Sequence, residues 1–342
     1  MSQSSSPSAA ILGCSGPELT SDERKFFADA KPFGLILFSR NIVAPEVVRR
    51  LASDFREVVG RPDAPVLIDQ EGGRVARLRP PIWPSLPAAG QIGALWKQDR
   101  EKGLAAAQLQ GLAIAATLAP LGIDVACAPM CDVAAPDADA KVIGDRAYGD
   151  SPRQVAELAA ATEKALRSAG IATTPKHAPG HGRATSDSHY QLPKVEASLA
   201  EIVSDLIPFR AMLNAPFFMT AHIVFSEIDP DTPATCSRKC LDWLRAETGF
   251  AGAILSDDLA MKALTGPIQA RAKSAISAGC DALLYCSGDM SGNVAAIEGA
   301  GTAGVRLQDT WRKWTSSRPT PIHKDAFVLA AELWAMIREG EV

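Results

Sequence analysis

Four of the chain's five histidines, His177, His181, His189 and His222, fall within 46 residues, and three of them lie in KHAPGHGRATSDSH (176–189). Histidine is the side chain whose proton exchanges near neutral pH, so this clustering beside Asp187 points to proton transfer or metal binding. Asp187 and His189 are two residues apart, and in an extended stretch their side chains point the same way. A carboxylate on one imidazole nitrogen would fix the tautomer and leave the other nitrogen free to exchange a proton. The glycines flanking His181 in PGHG permit tight turns close to a ligand. A loop of hydrogen-bonded histidines with no chemical task is the competing reading.

Other polar residues end apolar runs. Asp69 follows PVLI, Lys176 and His177 follow IATT, His222 follows FFMT, and Asp257 and Asp258 follow GAIL. An ionised carboxylate at Asp257 needs donors or cations, and Arg77, Arg146 and Lys176 are candidates. Asp258 is expected to point the other way, leaving one of the pair at the site. The two could alternatively cap a helix over 259–263. DQEGGR (69–74) adds an acidic strand end before a Gly-Gly turn.

The elements that must position these groups follow from hydrophobic runs at 9–16, 34–39, 65–70, 123–129, 171–177, 217–222, 252–258 and 281–287. Continuous rather than alternating hydrophobicity suits parallel strands covered on both faces. Helices are expected over 45–59, over 151–169 behind Ser151-Pro152, over 198–214 behind the Ser198/Glu201 capping box, and over 237–248 and 267–279. Eight alternations predict an α/β fold, a single-domain (β/α)8 TIM-like barrel with an irregular strand or two. It should span 9–342, with 1–8 poorly ordered and peripheral helices from about 300. Such a barrel gathers its chemistry at the C-terminal ends of its strands, where these polar residues stand.

Composition narrows the function. A net charge of −4 offers no broad basic surface for nucleic acid or anionic lipid. The opening MSQSSSPSAA carries no basic residue and does not read as a secretory signal, so a cytoplasmic protein is expected. The uncharged stretch 104–123 is Ala-rich and better suited to a buried helix than to a membrane span. The seven cysteines include two C-x3-C pairs without zinc-finger partners, and no metal or other cofactor is expected. A monomer acting on a small, neutral or locally anionic substrate fits best.

These parts match displacement at a sugar carbon. A retaining glycosidase needs one carboxylate to attack and a second group that gives, then takes, a proton. Asp257 would attack, and His189, tuned by Asp187, would stand in for the usual second carboxylic acid. LIDQEGGRVARL (67–78), IGDRAY (143–148), KHAPGHG (176–182), TSDSH (185–189), TAHI (220–223) and ILSDDLAM (254–261) resemble, in order, motifs of the compact bacterial β-N-acetylglucosaminidases of glycoside hydrolase family 3. The resemblance covers roughly 30–290. It implies Asp257 as nucleophile, His189 as acid/base and Asp187 as its partner on a mobile loop. It also implies Asp69, Arg77, Arg146, Lys176 and His177 around the terminal sugar, and His222 is grouped with them. The implied substrate is N-acetylglucosamine β-linked to a muramic or anhydromuramic residue, in cytoplasmic recycling of peptidoglycan. Two positions depart from the family pattern: Ala178 replaces an aromatic, and Asp145-Arg146 replaces Glu-Arg.

Other readings use the same residues. Phosphate could intercept the glycosyl-enzyme, because a histidine acid/base repels it less than glutamate would. A metal-dependent hydrolase could employ His177, His181, His189 and Asp187 as ligands. A sugar-binding protein without catalysis is the third.

Overall fold

All eight apolar runs form parallel strands in the computed structural model, which describes residues 6–136, 142–188 and 190–340. They are β1 (Ser8–Leu12), β2 (Pro32–Leu37), β3 (Val66–Ile68), β4 (Val125–Ala126), β5 (Ala172–Thr173), β6 (Phe217–Met219), β7 (Ala253–Asp258) and β8 (Ala282–Tyr285). Hydrogen-bonded neighbours run β5-β4-β3-β2-β1-β8-β7-β6. The circle is completed just beyond β5 and β6. There the Met219 N–H donates to the Pro175 carbonyl at 3.0 Å, Ala178 N–H to Met219 at 2.7 Å and Ala221 N–H to Ala178 at 2.8 Å. The closing seam therefore runs through the residues that flank Lys176 and His177. Ala178 is fully buried in it. The first strand begins at Ser8, inside the segment expected to be poorly ordered.

The connecting helices obey simple local rules. Pro45–Val59 starts with Pro at its first position and ends at Gly60, whose φ of 65° only glycine adopts cheaply. Val48, Leu51, Ala52, Phe55 and Val59 form its buried stripe, at the spacing of one helical face. The Ser198/Glu201 capping box forms, but the helix expected to reach 214 divides into Leu199–Asp205 and Ile207–Arg210. Pro208 has no N–H for an i−4 bond, which accounts for the break near Leu206. The stretch expected as a buried helix over 104–123 is helical from Arg100 to Leu118. Asp99 caps it, and it packs between Pro152–Ser168 and Ala326–Gly340. No helix forms over 259–263; these residues make turns.

After 300 the helices Val305–Ser317 and Ala326–Gly340 pack against the barrel through Leu307, Trp311, Leu329 and Leu333. Trp311 closes the N-terminal end of the barrel. Its ring stacks on Phe217 at 6.0 Å and meets Phe33 edge-on at 6.3 Å.

One irregularity matters for function. Between Leu255 and Asp258 strand β7 advances three residues while β8 advances two, from Ala282 to Leu284. The extra residue makes a bulge, and the Ser256 hydroxyl accepts the Leu284 N–H at 2.9 Å in place of a ladder carbonyl. Simple alternation therefore fails at Asp257-Asp258.

Candidate active site

A cavity of about 220 Å³ opens at the C-terminal ends of the strands. Asp69, Arg77, Arg146, Lys176, His177, Asp187 and Asp257, all named from the sequence, line it. Asp258 lines it too, because the bulge turns both acids of the pair toward the mouth. A wider groove of about 460 Å³ at the opposite end has no carboxylate or histidine in its wall.

One wall is an ion-pair network. Lys176 Nζ lies 2.7 Å from both Asp69 Oδ1 and Glu71 Oε1. Arg77 reaches Asp69 Oδ2 at 3.0 Å, and Arg146 grips Glu71 through Nε at 3.0 Å and Nη2 at 2.8 Å. Burial alone would neutralise these carboxyls. Lys176 and Arg77 instead hold Asp69 well below the usual range, and Arg146 and Lys176 hold Glu71 at about 2. Arg77 also sits 4.7 Å over the Phe38 ring. Arg77 and Arg146, expected to balance Asp257, are thus committed to Asp69 and Glu71. Asp145, at the second departure from the family pattern, pairs with Arg74 at 3.0 Å rather than with its neighbour.

Across the cavity stands Asp257. Burial raises its carboxyl, but His177, His222, the Asp258 N–H and Lys176 together bring it below the ordinary value. Its Oδ1 accepts that N–H at 2.8 Å. Asp258 goes the other way. Burial raises it despite N–H donors from Ala260 and Cys286, both at 3.0 Å. The two adjacent carboxyls shift in opposed directions, and Asp257 is the one whose anionic form the site favours.

His222 belongs behind the site, not in it. It is fully buried, with Nδ1 2.7 Å from Thr235 Oγ1 and Nε2 3.0 Å from the Asp258 carbonyl. Both ring nitrogens are occupied, so it supports the β7 end rather than binding sugar.

The long loop after β5 is tied down by a residue absent from the sequence-based set. Asp132, fully buried, accepts the His177 N–H at 3.1 Å and the His181 N–H at 2.6 Å on Oδ1, while Oδ2 lies 2.8 Å from His177 Nδ1. His181 Nε2 meets Ser188 Oγ at 3.0 Å. Further along, Lys194–Val195 pairs with Val224–Phe225. Asp187 is at the cavity wall, where its carbonyl accepts from Tyr190 and Gln191, so it opens a turn instead of the expected extended stretch. His189, the expected acid/base, lies outside the described residues. Among the described residues no three His, Cys, Asp or Glu side chains converge as a metal site.

These shifts set an acid limit on stability. Burial is outweighed at Asp132, chiefly by His177, leaving it at about 2. Glu71 and Asp132 are thus depressed on folding, so their contribution is complete above about pH 4.5 and lost toward pH 2. His181 is pushed down to about 4 by burial and by His177, so the unfolded chain binds that proton first. Its stabilising effect fades from pH 6.5 toward 4. Urea midpoints should therefore decline gently below pH 6.5 and steeply below 4.5. Constant midpoints from pH 7 to 3 would contradict these assignments.

Closed parallel barrel, acidic strand ends and an Asp-bearing loop over one small cavity are features of a glycoside hydrolase. The family model for the glycosyl hydrolase family 3 N-terminal domain matches residues 9–309, and the chain belongs to that family. A β-hexosaminidase of Methylococcus capsulatus is 40% identical over 277 residues, 80% of each chain. Another, of Alkalilimnicola ehrlichii, is 38% identical over 283 residues, 81% of this chain and 80% of that one. The crystal structure of native NagZ from Neisseria gonorrhoeae superposes with a TM-score of 0.85 at 30% identity, covering 99% of both chains. The activity class is that of a β-N-acetylhexosaminidase.

Proposed function

We propose that the chain releases terminal β-linked N-acetylglucosamine with retention of configuration, through a covalent bond between the sugar and Asp257. The observation that carries this is the Asp257 carboxyl at the bulged end of β7, held below its ordinary value and facing a cavity in which Asp69 is paired with Lys176 and Arg77 and Asp258 is raised by burial. In the first step an Asp257 oxygen attacks the anomeric carbon and the bond to the leaving oxygen breaks. That oxygen takes its proton from His189. In the second, His189 removes a proton from water, whose oxygen attacks the same carbon and frees Asp257. Asp187 holds the imidazole in the tautomer this exchange needs.

Lys176, Arg77 and Arg146 line the cavity while paired with Asp69 and Glu71. A sugar hydroxyl can share the donor hydrogens and the outer lone pairs of Asp69 without stranding a charge. A cavity this small suits one terminal sugar, not a chain threaded through a cleft. The motif resemblance supports fragments of peptidoglycan as the substrate and the cytoplasm as the place. Proton NMR of an early reaction mixture with an aryl N-acetyl-β-glucosaminide decides the stereochemistry. The β-anomer of N-acetylglucosamine should appear first; an initial α-anomer would overturn the covalent route.

A further inference from the structure

We propose that Asp132 is a positioning residue for this displacement, setting the tautomer and ring orientation of His177 beside the nucleophile. The inference rests on the retaining reading above. Asp132 follows β4, has no exposed surface and is absent from the cavity wall, so it cannot touch sugar. What it does touch is specific. One oxygen collects two backbone N–H groups, from His177 and His181, and the other meets His177 Nδ1. A carboxylate can only accept, so Nδ1 must carry a proton there. Nε2 is then the ring nitrogen left for a ligand in the cavity that His177 shares with Asp257.

Those contacts explain why an acid, not an amide, occupies the position. An asparagine could keep its oxygen on the two backbone N–H groups, preserving the loop. Its NH2 would then face His177 Nδ1, and two donors cannot share that contact. The imidazole would have to give up its Nδ1 proton and carry one on Nε2 instead. A donor would replace the intended group beside Asp257. The same carboxylate fixes the His181 N–H, so the sugar-side histidine and the start of the Asp187 loop share one anchor.

The test joins 15N NMR of histidine-labelled protein to kinetics on an aryl N-acetyl-β-glucosaminide. In the wild type His177 should carry its proton at Nδ1, and in Asp132→Asn at Nε2. The variant should lose about 10²-fold in kcat/KM, in the range seen when a histidine's orienting partner is removed. Introduced into His177→Ala, the same change should cost less than about threefold, because its route of action is already gone. A wild-type His177 protonated only at Nε2 would overturn the proposal without any variant. So would a full, independent loss in the His177→Ala background. If the wild type fails to cleave the glycoside, the hydrolytic reading falls, while the NMR result still decides the tautomer.

Discussion

Asp257→Ala should reduce turnover of an aryl N-acetyl-β-glucosaminide by at least about 10⁴-fold, a loss of roughly 5.5 kcal/mol in transition-state stabilisation. The side chain is a depressed carboxylate whose Oδ1 takes one backbone N–H, while Asp69 in the same cavity is committed to Lys176 and Arg77. Asp258 cannot take over. Its carboxyl is raised by burial and accepts the Ala260 and Cys286 N–H groups. Asp258→Asn should therefore act on the shape of the β7 end more than on the nucleophile. Comparing the two variants under identical conditions checks the division of roles. Equal residual activity in both would contradict it.

Lys176→Met should damage stability and activity together. The ammonium is almost fully buried and lies 2.7 Å from two carboxylates. Its removal leaves Asp69 and Glu71 with one arginine each, Arg77 and Arg146, and takes away the cation they share. Breaking a buried pair in this way costs about 3–5 kcal/mol. In a domain this large that corresponds to a fall in Tm of roughly 5–10 °C. Adding Glu71→Gln relieves the repulsion between the two carboxylates but leaves Arg146 without its partner, so it should restore at most a small part of the Tm. Activity should stay low, because the sugar hydroxyls have lost a donor. Calorimetry and rate assays on the single and double variants separate the two effects. Recovery of both properties by the double variant would show that Lys176 serves the fold alone.

Much of this arrangement was legible in residue order. The eight runs appear as eight strands because strands buried on both faces have no polar alternation to disguise them. Asp69, Lys176, His177 and Asp257 could be placed at one end because a parallel barrel puts every C-terminal strand end on one face. Facing is harder to read. His222 ends its run as the others do, yet Thr235 and the Asp258 carbonyl claim its ring behind the strand. The β7 bulge, which brings Asp258 round beside Asp257, leaves no mark in the sequence, since Ser256 repairs the ladder with an ordinary hydroxyl.

Partners distant in the chain were the other blind spot. Glu71 meets Arg146 across 75 residues and Asp132 meets His177 across 45, and no local spacing announces either. For Asp132 a usable sign did exist. It closes the apolar run IDVACAPMCDV just as Asp69 and Asp257 close theirs. Pro208, sitting inside an otherwise helical stretch, was the local warning that 198–214 would divide.

The most direct test of the covalent route is to trap it. Incubation with a slowly hydrolysed fluorinated N-acetylglucosaminide, followed by protease digestion and mass spectrometry, should find one sugar attached to the peptide containing Asp257, with mass equal to one fluorinated glycosyl unit. A sugar on any other side chain, or turnover of the reagent with no adduct in either denatured or quenched samples, would contradict the assignment.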